Sequence, residues 1–125
     1  MDKEVIYTAE APEPGPYSQA IRYGNLIFVA GQTSEDPETS CPVHGSVTVQ
    51  TERIMRNIET ILKAAGTGLE KILRVDVYLS SLAFKPEFNA AYAQFFAGAP
   101  PVRNCVAVAG IDDGLDVEIE VIAGV

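Results

Sequence analysis

The stretch Pro100-Pro101-Val102-Arg103-Asn104-Cys105-Val106-Ala107-Val108-Ala109, then Gly110-Ile111-Asp112-Asp113-Gly114-Leu115, then Asp116-Val117-Glu118-Ile119-Glu120-Val121-Ile122-Ala123, decides how the whole chain is read. Two runs of alternating character flank a Gly-Asp turn, the pattern of a pair of strands. Side chains alternate between the faces of a strand. Val102, Asn104, Val106 and Val108 therefore share one side, and Arg103, Cys105, Ala107 and Ala109 the other. Likewise Val117, Ile119 and Val121 oppose Glu118 and Glu120. The expected outcome is a guanidinium, a thiol and two carboxylates on the non-core faces of consecutive strands, and chemistry is sought there.

Composition sets the frame around that stretch. With 125 residues, 47% of them hydrophobic and 21% charged, the chain is expected to form one domain, residues 1–125, of an ordinary soluble protein. A chain of this size buries roughly two-thirds of its unfolded surface and needs no staples. No apolar run approaches the ~20 residues of a bilayer span. Met1-Asp2-Lys3-Glu4-Val5-Ile6-Tyr7 has no basic region followed by an apolar core, so no secretory signal is expected and the location is read as cytoplasmic, without a membrane partner. A formal net charge of −8, with Lys and Arg scattered, argues against nucleic acid as a partner. Cys41 and Cys105 form neither a metal pattern nor a disulfide framework, and His44 alone is too few for a multi-histidine metal site.

Working back from that stretch, residues 4–8 form a short strand candidate, and residues 9–16 hold three prolines and a glycine that forbid regular structure. Residues 17–23 and 26–30 read as a hairpin turning at Gly24-Asn25, with Leu26-Ile27-Phe28-Val29-Ala30 apolar on both faces and therefore buried. Gly31-Gln32 closes that strand, either for a bend or because something approaches the backbone. Residues 33–45 lack periodicity and form a loop. Ser46 is an N-cap for a helix whose Ile54, Ile58, Ile61, Leu62 and Ala65 make one apolar stripe, ended by Gly66. Ile72 to Leu79 alternates as a half-buried strand, and Pro86 starts a second helix carrying Phe88, Tyr92, Phe95 and Phe96 as a core stripe. The order β-β-β-α-β-α-β-β implies an α+β fold, a mixed six-stranded sheet with two helices on one face. Its other face is expected to lie against another copy of the chain.

Six blocks now stand in register: Gly15-Pro16-Tyr17-Ser18-Gln19-Ala20; Phe28-Val29-Ala30-Gly31-Gln32; Asn57 with Leu62-Lys63-Ala64-Ala65-Gly66; Phe88-Asn89-Ala90-Ala91-Tyr92 with Phe95-Phe96; Pro101-Val102-Arg103-Asn104-Cys105-Val106; and Val117-Glu118-Ile119-Glu120-Val121-Ile122-Ala123. In order and approximate spacing they resemble the RidA (YjgF) family of reactive intermediate deaminases, over nearly the whole chain. The resemblance implies a fold like chorismate mutase of the bacillus type, a homotrimer and ligand pockets at subunit interfaces. It also implies cofactor-free hydrolysis of 2-imino or enamine acids, such as 2-aminoacrylate, to 2-keto acids and ammonia. Carried over by position, Arg103 binds the substrate carboxylate and Glu118 holds or deprotonates the attacking water, while Tyr17, Gly31, Asn89 and Cys105 line the pocket. Many members carry serine where this chain has Ala30, which implies an altered hold on the ligand's amino end.

Arginine suits such a role because its planar fork makes two parallel bonds to a carboxylate, which lysine cannot reproduce. A glutamate near its ordinary pKa is a weak base at neutral pH, so a base role for Glu118 needs burial, whereas positioning water does not. A simple hairpin between the last two strands sets Arg103 against Ile122, Cys105 against Glu120 and Glu118 against Ala107. At about 3.4 Å per residue, Glu118 then stands roughly 13 Å along the strand from Arg103. Either the turn shifts that register or the two groups converge across a subunit boundary, with Glu120 as the rival of Glu118.

Overall fold

Ser46 does open the first helix, α1 (Val47–Ala64), its hydroxyl accepting the Val49 amide at 3.1 Å. The helix ends in a Schellman motif: the Thr67 amide bonds the Leu62 carbonyl at 2.9 Å and the Gly66 amide bonds that of Lys63 at 3.0 Å. Gly66 turns the chain at φ +84°, where other residues are strained. The stripe Ile54, Ile58, Ile61 and Leu62 is wholly buried. The second helix, α2 (Lys85–Ala93), has Pro86 in its first turn and buries Phe88 and Tyr92. It is shorter than the aromatic spacing predicts. Phe95 and Phe96 leave the helix in a turn, yet still pack on the core.

The computed structural model describes residues 2–125. Its strands are β1 (Glu4–Ile6), β2 (Ala20–Tyr23), β3 (Leu26–Thr33), β4 (Ile72–Leu79), β5 (Val102–Ala107) and β6 (Val117–Gly124). They form one mixed sheet in the order β1-β2-β3-β6-β4-β5, with both helices packed on one face. This is the α+β architecture the element order implies. Two strands are shorter than expected. β1 stops at Ile6, and β2 begins at Ala20 because Gln19 turns inward to bind the Thr8 amide and the Thr8 and Pro12 carbonyls.

The expected hairpin of the last two strands is not formed. β4 lies between them, parallel to β5 and antiparallel to β6. The connection of residues 108–116, which includes a single 3₁₀ turn at Asp112–Gly114, is long enough to step over one strand. The central position rewards β6, whose Val117, Ile119, Val121 and Ala123 are all buried beneath the helices. The strand β4, helix α2 and parallel strand β5 form a βαβ crossover unit instead.

This order corrects the placement of the polar groups. Arg103 pairs with Val75 and Cys105 with Val77, both buried core residues, so guanidinium and thiol lie on the helix-covered face at the sheet edge. Glu118 and Glu120 lie on the bare face. β3 is likewise buried on one face only, since Leu26 and Phe28 are exposed on the other. A register shift in β4 between Ile72 and Arg74 turns Leu73 out, where strict alternation puts it in the core. The bare face thus shows Leu26, Phe28, Val102 and Val106 to solvent, Val102 at 66% exposure.

Candidate functional site

The bulge in β3 builds the first half of the site. Val29 pairs with Val121 but Gln32 with Ile119, so β3 carries one extra residue between two ladder positions. Ala30 and Gly31 occupy that irregularity, and β3 continues through them to Thr33 where the sequence suggests an end. A Cβ on Gly31 would run into the Glu118 carboxylate. Bend and close approach, alternatives in the sequence, both hold here. Beside them opens a cavity of about 300 Å³, lined by Tyr17, Ala30, Gly31 and Glu118 among others. Four of the seven candidate residues therefore meet in one place.

Within it, Glu118 accepts no hydrogen bond from the described residues. Burial, then the negative charges of Asp112 and Glu120, raise its carboxyl above the ordinary glutamate value. Glu120 differs. It is held by the Tyr78 hydroxyl, whose own pKa that bond, with burial, pushes up to about 12. Of the two rivals, Glu118 is the one that lines the cavity and is free to meet a water or ligand.

Arg103, Asn89 and Cys105 form a second cluster. The Arg103 guanidinium donates to Asn89 Oδ1 at 2.7 Å and lies over the rings of Tyr92, at 5.0 Å, and Phe88, at 5.7 Å. The β4–β5 edge supplies the arginine and α2 supplies everything that aims it. Tyr92 itself is buried with its hydroxyl unpartnered among the described residues, and burial pushes its pKa up to about 12 against the pull of Arg103. Cys105 is half-buried and packs against the core, while His44, whose Nε2 bonds the Asp113 carbonyl at 2.8 Å, belongs to the other cluster.

The two clusters do not meet within one chain. Glu118 and Arg103 are two strands and three register positions apart, about 10 Å across and about 10 Å along, on opposite faces of the sheet.

A profile of the family described as endoribonuclease L-PSP matches residues 8–125. A RutC family protein of Pyrococcus abyssi is 45% identical over 124 residues, 98% of either chain. The chain belongs to the RidA (YjgF) family. RidA from an Antarctic Psychrobacter shares its fold at a TM-score of 0.93 and 34% identity, covering 98% of this chain and 99% of that one. TdcF of Escherichia coli, solved with bound serine, superposes at 0.91 with 31% identity, covering 98% of each chain.

Several features of this RidA-family cavity are invisible to motif reading. Glu13, Glu35, Asp112 and Asp113 also line it, from two loops and the 3₁₀ turn. Burial, then Asp113 and Asp112, raise the Glu35 carboxyl, and Asn57 of α1 fixes its backbone by bonding the Glu35 carbonyl at 2.8 Å. The adjacent acids Asp112-Asp113 are the one local signal the sequence offers. Tyr92 is read from spacing as core, which it is, but its ring also flanks the arginine.

Proposed function

We propose that this chain hydrolyses 2-imino and enamine acids of the 2-aminoacrylate type to 2-keto acids and ammonia, without a cofactor, in a site completed between copies of a homotrimer. The observation that carries the reading is Glu118: an unpaired carboxylate, its pKa raised by burial, facing a small cavity over a glycine that has no side chain to block it. Water adds to the carbon of the C=N bond while Glu118 takes its proton. The proton then goes to nitrogen, and collapse of the carbinolamine releases ammonia and leaves the keto group. An enamine first gains a proton at its terminal carbon and gives one up from nitrogen, which makes it the imine.

Such a substrate needs a cation at its carboxylate end. Arg103 is the aimed one, and because its place on the opposite face keeps it from the Glu118 of its own chain, in this reading it serves the cavity of a neighbouring copy. Asn89 and Cys105 come with it, while Tyr17, Ala30 and Gly31 stand on the Glu118 side. A site split this way explains the apolar residues left bare on the sheet. The serine bound to TdcF, with a carboxylate and nitrogen on one carbon, has the shape this pairing accepts.

The test couples an amino acid oxidase to the protein and measures keto-acid release in competition with an imine trap. Turnover by a trimer, by light scattering, is the expected result. A trimer that binds 2-keto acids without turnover would instead be a sensor of small carboxylates, and a monomer at micromolar concentration would remove the shared site.

A further inference from the structure

The Arg103 guanidinium is held in place without being neutralised. Neither ion pair among the described residues involves it, and of its five N–H groups only one is used, on Asn89 Oδ1. An acidic partner would fix a half-buried arginine on this edge strand equally well, but it would fill the fork and cancel the charge that a ligand carboxylate needs. What supports the cation instead is an aromatic surface. Phe88 and Tyr92 stand four residues apart on α2, so their side chains are neighbours on one face of the helix. Their ring centres are 5.3 Å apart with the planes tilted by 32°, and the guanidinium carbon lies 5.0 Å from the centre of Tyr92 and 5.7 Å from that of Phe88. The three centres form a nearly equilateral triangle. Arg103 therefore sits over the seam of two adjacent rings that both lie to one side of it, rather than between two separated ones.

That surface is firm. Phe88 is fully buried, and Phe96 backs the Tyr92 ring at 4.8 Å between centres. All the N–H groups of a guanidinium lie in its plane, so contact through its face uses none of them. Resting on the reading that Arg103 takes the substrate carboxylate, we infer that Tyr92 is a positioning residue: its ring face, together with that of Phe88, orients the guanidinium from one side and leaves the N–H edge free for the ligand. The hydroxyl has no part in this. It is buried without a partner among the described residues, which weakens the fold where a phenylalanine would not, and as a neutral group near pH 7 it brings no counter-charge.

The test keeps the shape of the ring and changes its charge. Tyr92→Phe is compared with versions of the whole chain carrying difluorophenylalanine and pentafluorophenylalanine at position 92, because fluorine drains the ring face of negative charge while hardly altering its size. Affinity for 2-oxobutanoate is measured by titration calorimetry, and KM and kcat on a freshly generated imino acid by competition with semicarbazide. Tyr92→Phe should bind within about twofold of wild type, and affinity should then fall stepwise with fluorination, to about tenfold weaker for the pentafluoro ring. KM should rise in parallel while kcat stays within about threefold, as for a contact made equally in ground and transition states. Affinity and KM that ignore fluorination overturn the inference, as does a Tyr92→Phe variant as weak as the pentafluoro one, which would give the role to the hydroxyl. In either case turnover by wild type keeps the hydrolase reading intact. Conversely, fluorine-dependent binding of 2-oxobutanoate by a protein that turns over no imine upholds the positioning role and removes the hydrolase. Wild type that neither binds 2-oxobutanoate nor hydrolyses imines overturns both.

Discussion

The two polar clusters of this chain are opposites. Around Arg103 the surroundings are aromatic and half-buried: two rings flank the guanidinium and one amide oxygen fixes its direction. Around Glu118 there is open space, a bare glycine backbone and further carboxylates. One end is a donor aimed in advance, whereas the other is an acceptor kept unpaired at some expense to the fold. Each lacks what the other has. With the complementary halves on opposite faces of one sheet, no movement of side chains can bring the two together within a chain, so the proposed activity calls for a second copy.

The largest break in that comparison comes from Arg103→Ala. Two charge-assisted bonds of roughly 1.5–3 kcal/mol each are lost, so kcat/KM should fall by about a hundredfold or more. A variant within threefold of wild type on a freshly generated imino acid would strip the donor half of its role. Next comes Glu118→Gln, for which kcat should drop by about a hundredfold while 2-keto acid affinity, measured by titration calorimetry, stays within about threefold. Equal losses in both would mean that Glu118 holds the ligand and not the water.

Gly31→Ala probes the acceptor half sterically. The new methyl group displaces the Glu118 carboxylate or shifts the β3–β6 ladder, so activity should fall by about tenfold and stability by about 1 kcal/mol in urea unfolding. Unchanged values for both would show that the close approach is relaxed in solution. The smallest effect is one of sign. Because Glu118 has a folded pKa above its unfolded value of 4.5, the native chain binds its proton more tightly than the unfolded one. Its contribution to stability therefore declines as pH rises through that window, and above it the ionised group is destabilising. Glu118→Gln should raise Tm by a degree or so near pH 8, an advantage that vanishes below about pH 4. A lower Tm at pH 8 would reveal the carboxylate paired with a cation in the assembly.

Both helices could be read before the structure, because capping and periodicity are local. Ser46, the Ile54–Leu62 stripe, Gly66 and Pro86 all sit where the sequence puts them. Strand order was not legible. Alternation in residues 102–109 and 116–123 reveals two strands but not that β4 slips between them, since turn chemistry at 110–115 is the same for a hairpin and for a step across a neighbour. Arg103 and Cys105 could be assigned to a shared face, yet which face depends on the partner strand. Tyr17, Gly31 and Glu118 came together as their motifs suggested, whereas Glu13, Glu35 and Asp113 reach the cavity from separate loops that only the finished fold brings near.

The central place of β6 has a consequence for how the molecule comes into being. β1, β2 and β3 make one ribbon and β4 with β5 another, and the only strand pairing that joins them is with β6. A nascent chain ending before residue 117 holds two unjoined fragments, each with a raw edge of unpaired amides and carbonyls. Closure of the sheet is thus a long-range event that waits on synthesis of β6, and chains stalled short of it are expected to be digested by protease throughout.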